Sequence, residues 1–147
     1  MKILAISDVP SKLLWDESVR KRLEGIDLIL SCGDLPKKYL EYLTNFTTVP
    51  ILYVHGNHDD CYDQFPPEGC TCIDDMIYVH QGIRILGLGG SHRYRDGKYM
   101  YTEAQMRRRI RRLWFQLHKY GGFDILVTHA PAFHINDFDS ISHRGFS

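Results

Sequence analysis

Along the first part of the chain, short apolar runs alternate with polar stretches that carry helix signals. Lys2 to Ser7 is an apolar run closing on Asp8, which predicts a buried strand. Asp16-Glu17-Ser18 opens a helix expected to reach Glu24, with Gly25 as its stop. Ile26 to Ser31 predicts a second strand and runs into Cys32-Gly33-Asp34. Pro36 suits the first turn of a helix reaching about Asn45. Val49 to His55 predicts a third strand, ending in Gly56-Asn57-His58-Asp59-Asp60. Strands that alternate with helices imply right-handed βαβ units and a parallel sheet. Ligands collect at the carboxyl ends of the strands in such a sheet.

Beyond this point the pattern changes. Cys61 to Asp75, rich in Pro, Gly, Cys and Asp, reads as a loop. Met76 to His80 and Ile83 to Gly89 read as two strands joined at Gln81-Gly82, a hairpin that opens a second sheet or an antiparallel extension of the first. A polar loop, Gly89 to Gly97, follows. Thr102 is a predicted N-cap with Gln105 completing a capping box. That helix is expected to run to Tyr120, ended by Gly121-Gly122, with Met106, Ile110, Leu113, Trp114 and Leu117 as its apolar stripe. Asp124 to Thr128 predicts one more strand, running into His129-Ala130-Pro131, with no further strand after it.

Composition narrows the class. With 147 residues, 44% of them hydrophobic, the chain has the size and apolar content of one folded domain. Its formal net charge of zero gives no overall pull toward nucleic acid or a membrane surface. No stretch approaches the roughly 20 apolar residues of a membrane span. The N-terminus reads as a strand rather than a signal peptide, so the expected location is the cytoplasm. Cys32, Cys61, Cys70 and Cys72 lack a Cys-x-x-Cys spacing and read as buried or incidental thiols.

The chemistry gathers at the strand ends. Successive predicted strands deliver Asp8, then Asp34, then Asn57 and His58, and the last delivers His129. Two carboxylates, an amide oxygen and an imidazole suit manganese, iron or zinc better than calcium, which prefers oxygen throughout. A carboxylate between two cations can bridge them, and the bridged pair holds hydroxide for attack on phosphorus. His58, next to an amide ligand, is placed to protonate a leaving oxygen.

Asp8 after strand one, Gly33-Asp34, Gly56-Asn57-His58-Asp59 and Thr128-His129 resemble the ordered motifs of the calcineurin-like metallophosphoesterase superfamily. The resemblance implies an α/β fold, an αββα sandwich of the metallo-dependent phosphatase type, in one domain spanning residues 1–147. It also implies two divalent transition-metal ions and hydrolysis of a phosphate mono- or diester by metal-bound hydroxide. Carried over by position, Asp34 would bridge the metals, Asn57 and His129 would bind the second, and Asp8 the first. His58 would be the catalytic imidazole.

Three departures stand out. Where the family has Asp-x-His, this chain has Asp8-Val9-Pro10, and proline offers no donor. Lys37 stands where a second Asp often follows, and the closing Gly-His-x-His motif is absent. A domain lacking its C-terminal strand is therefore expected, with a first metal site reduced to Asp8 and Asp34. His134 and His143 read as surface-loop histidines, with replacement of the missing ligands as the other reading. The alternative function is a catalytically impaired relative that binds a phosphate ligand or a protein. Arg93 and Arg95, in the polar loop, are candidates for holding a substrate phosphate. Arg107, Arg108, Arg109, Arg111 and Arg112 read as a solvated helix face, with nucleic-acid contact as the weaker reading. A membrane partner is not expected, and the sequence leaves the oligomeric state open.

Overall fold

A computed structural model describes residues 1–135, 137 and 144–147. Four strands form a parallel sheet in the order β1 (Ile3–Ile6), β2 (Leu28–Ser31), β3 (Ile51–Tyr53) and β4 (Thr71–Cys72). Helices α1 (Val19–Leu23) and α2 (Lys37–Thr44) connect the first three. A second sheet pairs β5 (Met76–His80) antiparallel with β6 (Ile83–Leu88), and β6 parallel with β9 (Ile125–Thr128). A small ribbon, β7 (Ser91–His92) with β8 (Met100–Tyr101), precedes α3 (Glu103–Arg112) and α4 (Trp114–Tyr120).

The period-2 geometry of strands sorts the side chains into layers. Leu28, Leu30, Leu52 and Val54 point into one core shared with Ile85 and Val127 of the second sheet. Ile29, Ile51 and Tyr53, the alternate positions, pack against Leu23, Tyr39 and Leu40 on the helix side. On the far side Ile77 and Leu86 pack against Leu113. The result is a four-layer αββα sandwich, as the motif resemblance implied. Burial on both faces explains why β2 and β3 read as unbroken apolar runs.

Three local expectations need correction. β4 lies within the stretch read as a loop; two residues are too few to show an alternating pattern, and only pairing with β3 makes them a strand. The predicted long helix is broken at Leu113, whose N–H bonds Ile110 O, so α4 starts afresh. Met106 and Leu113 are each 2% exposed, but Ile110 and Trp114 of the predicted stripe are 42% and 58% exposed. The capping box at Thr102 and Gln105 is present in full. The arginine run also divides: Arg109 pairs with Asp75 at 2.8 Å, donates to Gly89 O at 2.7 Å and lies over the Tyr101 ring, so it is structural rather than a solvated charge. All four cysteines are free. Among the described residues no helix is long and apolar enough to cross a membrane.

Arg84 fastens β6 to β9. Its guanidinium donates to both carboxylate oxygens of Asp124, at 2.9 and 2.7 Å, and to the carbonyls of Tyr120 and Gly121. The hydrogen bonds from Arg84 lower the Asp124 pKa to about 2. A depressed carboxyl pKa stabilises the fold above the unfolded value near 4, and that contribution is lost as pH falls through 2. Asp124→Asn is therefore expected to be less stable than the wild type at pH 6. The two proteins should converge below pH 2, which urea unfolding across that range will show.

Candidate metal centre

The carboxyl ends of β1, β2 and β3, together with the end of β9, meet at one edge of the sandwich. Gly33 and Gly56 make this possible, because a Cβ at Gly33 would sit 2.4 Å from Gly56 N. The turns after β2 and β3 thus touch backbone to backbone. Asp8 and Asp34 both adopt left-handed backbone, with φ of 59° and 56°, a conformation Asp tolerates better than most residues and one that recurs at functional sites. Asp59, buried beneath, accepts from the N–H groups of Asp34 and Gly56, both at 2.8 Å, and so pins the two turns together. Burial pushes its carboxyl above the usual range, with these two donors opposing.

The donor set follows from the hydrogen bonds. His129 Nδ1 lies 2.8 Å from the carbonyl oxygen of Cys32, which can only accept, so the neutral ring carries its proton there. Nε2 then presents a lone pair. Yet it faces Asn57 Oδ1 at 3.1 Å and Asp34 Oδ2 at 3.5 Å, both acceptors as well. Ligand atoms of Asp8, Asp34 and His129 all lie within 4.8 Å of one another. Acceptors converging without a shared proton repel unless a cation stands among them. Asp34, Asn57 and His129 would offer three protein donors, the number typical of a catalytic site, in a mixture of nitrogen and oxygen that transition metals accept. The residues fit a divalent transition metal.

Beside Asp8 and Asp34 lies a cleft of about 290 Å³ whose wall also includes Pro10, Lys37, His58 and Cys61. His58 is exposed to the cleft, and its backbone N–H donates to Asp34 Oδ1 at 2.8 Å. Arg95 reaches its ring, with one guanidinium nitrogen 3.2 Å from His58 Nδ1. Arg93 donates from Nε to Met100 O at 3.4 Å. Lys37 pairs with Glu41 at 3.2 Å. His134 is exposed beside the Phe133 ring. His143 lies outside the described residues. A larger groove, about 870 Å³, sits at the opposite ends of β2 and β3, but carries no convergent donors.

A second polar cluster, His55, Cys72 and Asp74, differs in kind. Here Asp74 Oδ2 takes His55 Nδ1 at 2.7 Å and Oδ1 takes the Gly89 N–H at 3.0 Å, so its acceptors have donors. Burial works against the charged ring, but hydrogen bonds to Asp74 and Cys72 outweigh it and raise the His55 pKa to about 9. The ring stacks on Tyr99 with centroids 4.2 Å apart. This pair braces the end of β3 from behind.

Sequence reasoning missed Asp59 as a brace, although it lies within the quoted Gly-Asn-His-Asp motif. It also missed Tyr94, whose hydroxyl oxygen accepts from Asn57 Nδ2 at 3.2 Å. The signal available was its place between two candidate arginines.

The profile of the calcineurin-like phosphoesterase superfamily domain matches residues 1–145. The chain belongs to that superfamily, whose domains are phosphoesterases that use divalent metals. Among curated proteins the chain has no match.

Proposed function

We propose that this protein is a metal-dependent hydrolase of phosphate mono- or diesters. Asp34, Asn57 and His129 would hold a divalent cation of manganese, iron or zinc, with Asp8 at its margin and His58 as general acid. The observation that carries the reading is the meeting of His129 Nε2 with Asn57 Oδ1 at 3.1 Å and Asp34 Oδ2 at 3.5 Å, while His129 Nδ1 is engaged by Cys32 O. A cation bound there supplies Lewis acidity to a phosphoryl oxygen and lowers the pKa of a water molecule.

The chain's own residues supply the rest. A guanidinium has no acceptor, so Arg95 can only donate to His58 Nδ1. The neutral ring of His58 therefore keeps its proton on Nε2, the nitrogen left free to donate a hydrogen bond to a leaving oxygen. The remaining N–H groups of Arg95 are proposed to grip a substrate phosphate. Arg93 is assigned instead to holding its own loop.

One observation favours a second reading, a binding module without turnover. Among the described residues the first metal position has only Asp8 and Asp34 as donors, and Pro10 contributes none. Hydrolysis of bis- and mono-p-nitrophenyl phosphate with manganese distinguishes the two. Chelator-sensitive turnover is expected, falling by roughly 10²–10⁴-fold in His58→Ala with manganese binding retained. Manganese binding without turnover would support the binding module; turnover indifferent to metal and to His58→Ala would reject the hydrolase.

A further inference from the structure

We propose that Tyr94 is a further catalytic residue, one that donates a hydrogen bond from its hydroxyl to a phosphoryl oxygen of the substrate. The inference rests on the phosphoesterase reading above.

A phenol offers one O–H to donate and an oxygen that accepts. In Tyr94 the accepting role is filled: Asn57 Nδ2 donates to it at 3.2 Å. That bond turns the amide so that its oxygen, the end able to ligate a cation, faces His129 and Asp34. The hydroxyl proton then has no use in the amide contact, and among the described residues the hydroxyl makes no second hydrogen bond. It stands one amide group away from the proposed cation position, where a substrate oxygen carries its growing negative charge.

Placement and stiffness support the role. Tyr94 is exposed, so a substrate can reach it. Its neighbour Arg95 lies over its ring, 5.5 Å from the centroid, while also reaching His58 at 3.2 Å. Consecutive residues of one loop therefore meet consecutive residues of the Gly56-Asn57-His58 turn, Tyr94 on Asn57 and Arg95 on His58. The loop is anchored at both ends by backbone bonds, Ser91 N to Tyr99 O at 2.9 Å and Arg93 N to Tyr101 O at 3.0 Å. A donor held by the protein before the substrate arrives needs no reorganisation as charge develops, and donors of this kind act mainly on the transition state.

The test compares the wild type with Tyr94→Phe, which removes only the hydroxyl from an exposed ring. With saturating manganese, kcat on bis-p-nitrophenyl phosphate is expected to fall roughly 100-fold, with KM changed by less than about 3-fold. Calorimetric binding of orthovanadate to the manganese-saturated protein should weaken alongside kcat, while the melting temperature stays near wild type and saturation makes up for any loss of manganese affinity. An unchanged kcat overturns the proposal. So does a loss that excess manganese restores, because Tyr94 would then serve only to hold Asn57, and so does a rise in KM alone. If the wild type itself shows neither metal-dependent turnover nor anion binding, the phosphoesterase reading fails first and takes this one with it.

Discussion

Asp34→Asn is expected to lower metal-dependent hydrolysis by about three decades while leaving the protein folded. Asp34 lies at the junction of the site: Oδ1 accepts the His58 backbone N–H at 2.8 Å, and Oδ2 faces His129 Nε2 at 3.5 Å. The amide keeps the shape and still offers one oxygen to His58 N. It loses the negative charge that would hold a cation. Charge stabilisation by a bound metal is worth several kcal/mol, and each 1.36 kcal/mol is a factor of ten in rate. Asparagine also tolerates the left-handed backbone of this position, φ 56°, whereas alanine would add strain. Turnover of bis-p-nitrophenyl phosphate with manganese, read beside the unfolding midpoint, checks both halves. A loss of less than tenfold with metal at saturation would show that Asp34 is not a ligand.

Gly33→Ala should produce the largest loss of stability. Its added Cβ would meet Gly56 N at 2.4 Å, Gly56 Cα at 2.7 Å and His129 Nδ1 at 2.9 Å, and its φ is +98°. Two of those three atoms are backbone, so no side-chain rotation relieves the clash. Overpacking costs about 1–3 kcal/mol and a strained backbone a similar amount, giving about 4 kcal/mol together. For a chain of this size that is a fall of roughly 10 °C in melting temperature. Gly25→Ala is the control. It too has positive φ, +71°, but nothing lies within 4 Å, so only the conformational cost of about 1–2 kcal/mol is expected. Calorimetry on both variants separates crowding from conformation; equal losses would mean that the contact of the two turns is unimportant.

Much of this architecture is legible from residue order. The apolar runs of β1, β2, β3, β5, β6 and β9, the Gly25 and Gly121 stops and the capping box at Thr102 all arise from local chemistry, which the sequence displays directly. Elements that depend on distant partners are harder to read. Thr71 and Cys72 become a strand through β3, and Arg109 leaves the basic face because Asp75 and Gly89 O lie within reach. Ile110 and Trp114 are exposed although they continue the apolar stripe, and apolar periodicity does not encode the helix break at Leu113.

The residue types that could serve a phosphoesterase, and their positions just after predicted strands, were determined by the sequence. Their meeting was decided only by tertiary structure. His129 is bonded to Cys32 across 97 residues of chain and faces Asn57 across 72, separations over which neither helical nor strand periodicity carries information. Pairing of β2 with β3 and of β6 with β9, together with the bare backbones of Gly33 and Gly56, brings these turns into contact. Tyr94 is the clearest case. Its place between Arg93 and Arg95 is a faint signal, and its candidacy comes from the loop that lays its hydroxyl against Asn57.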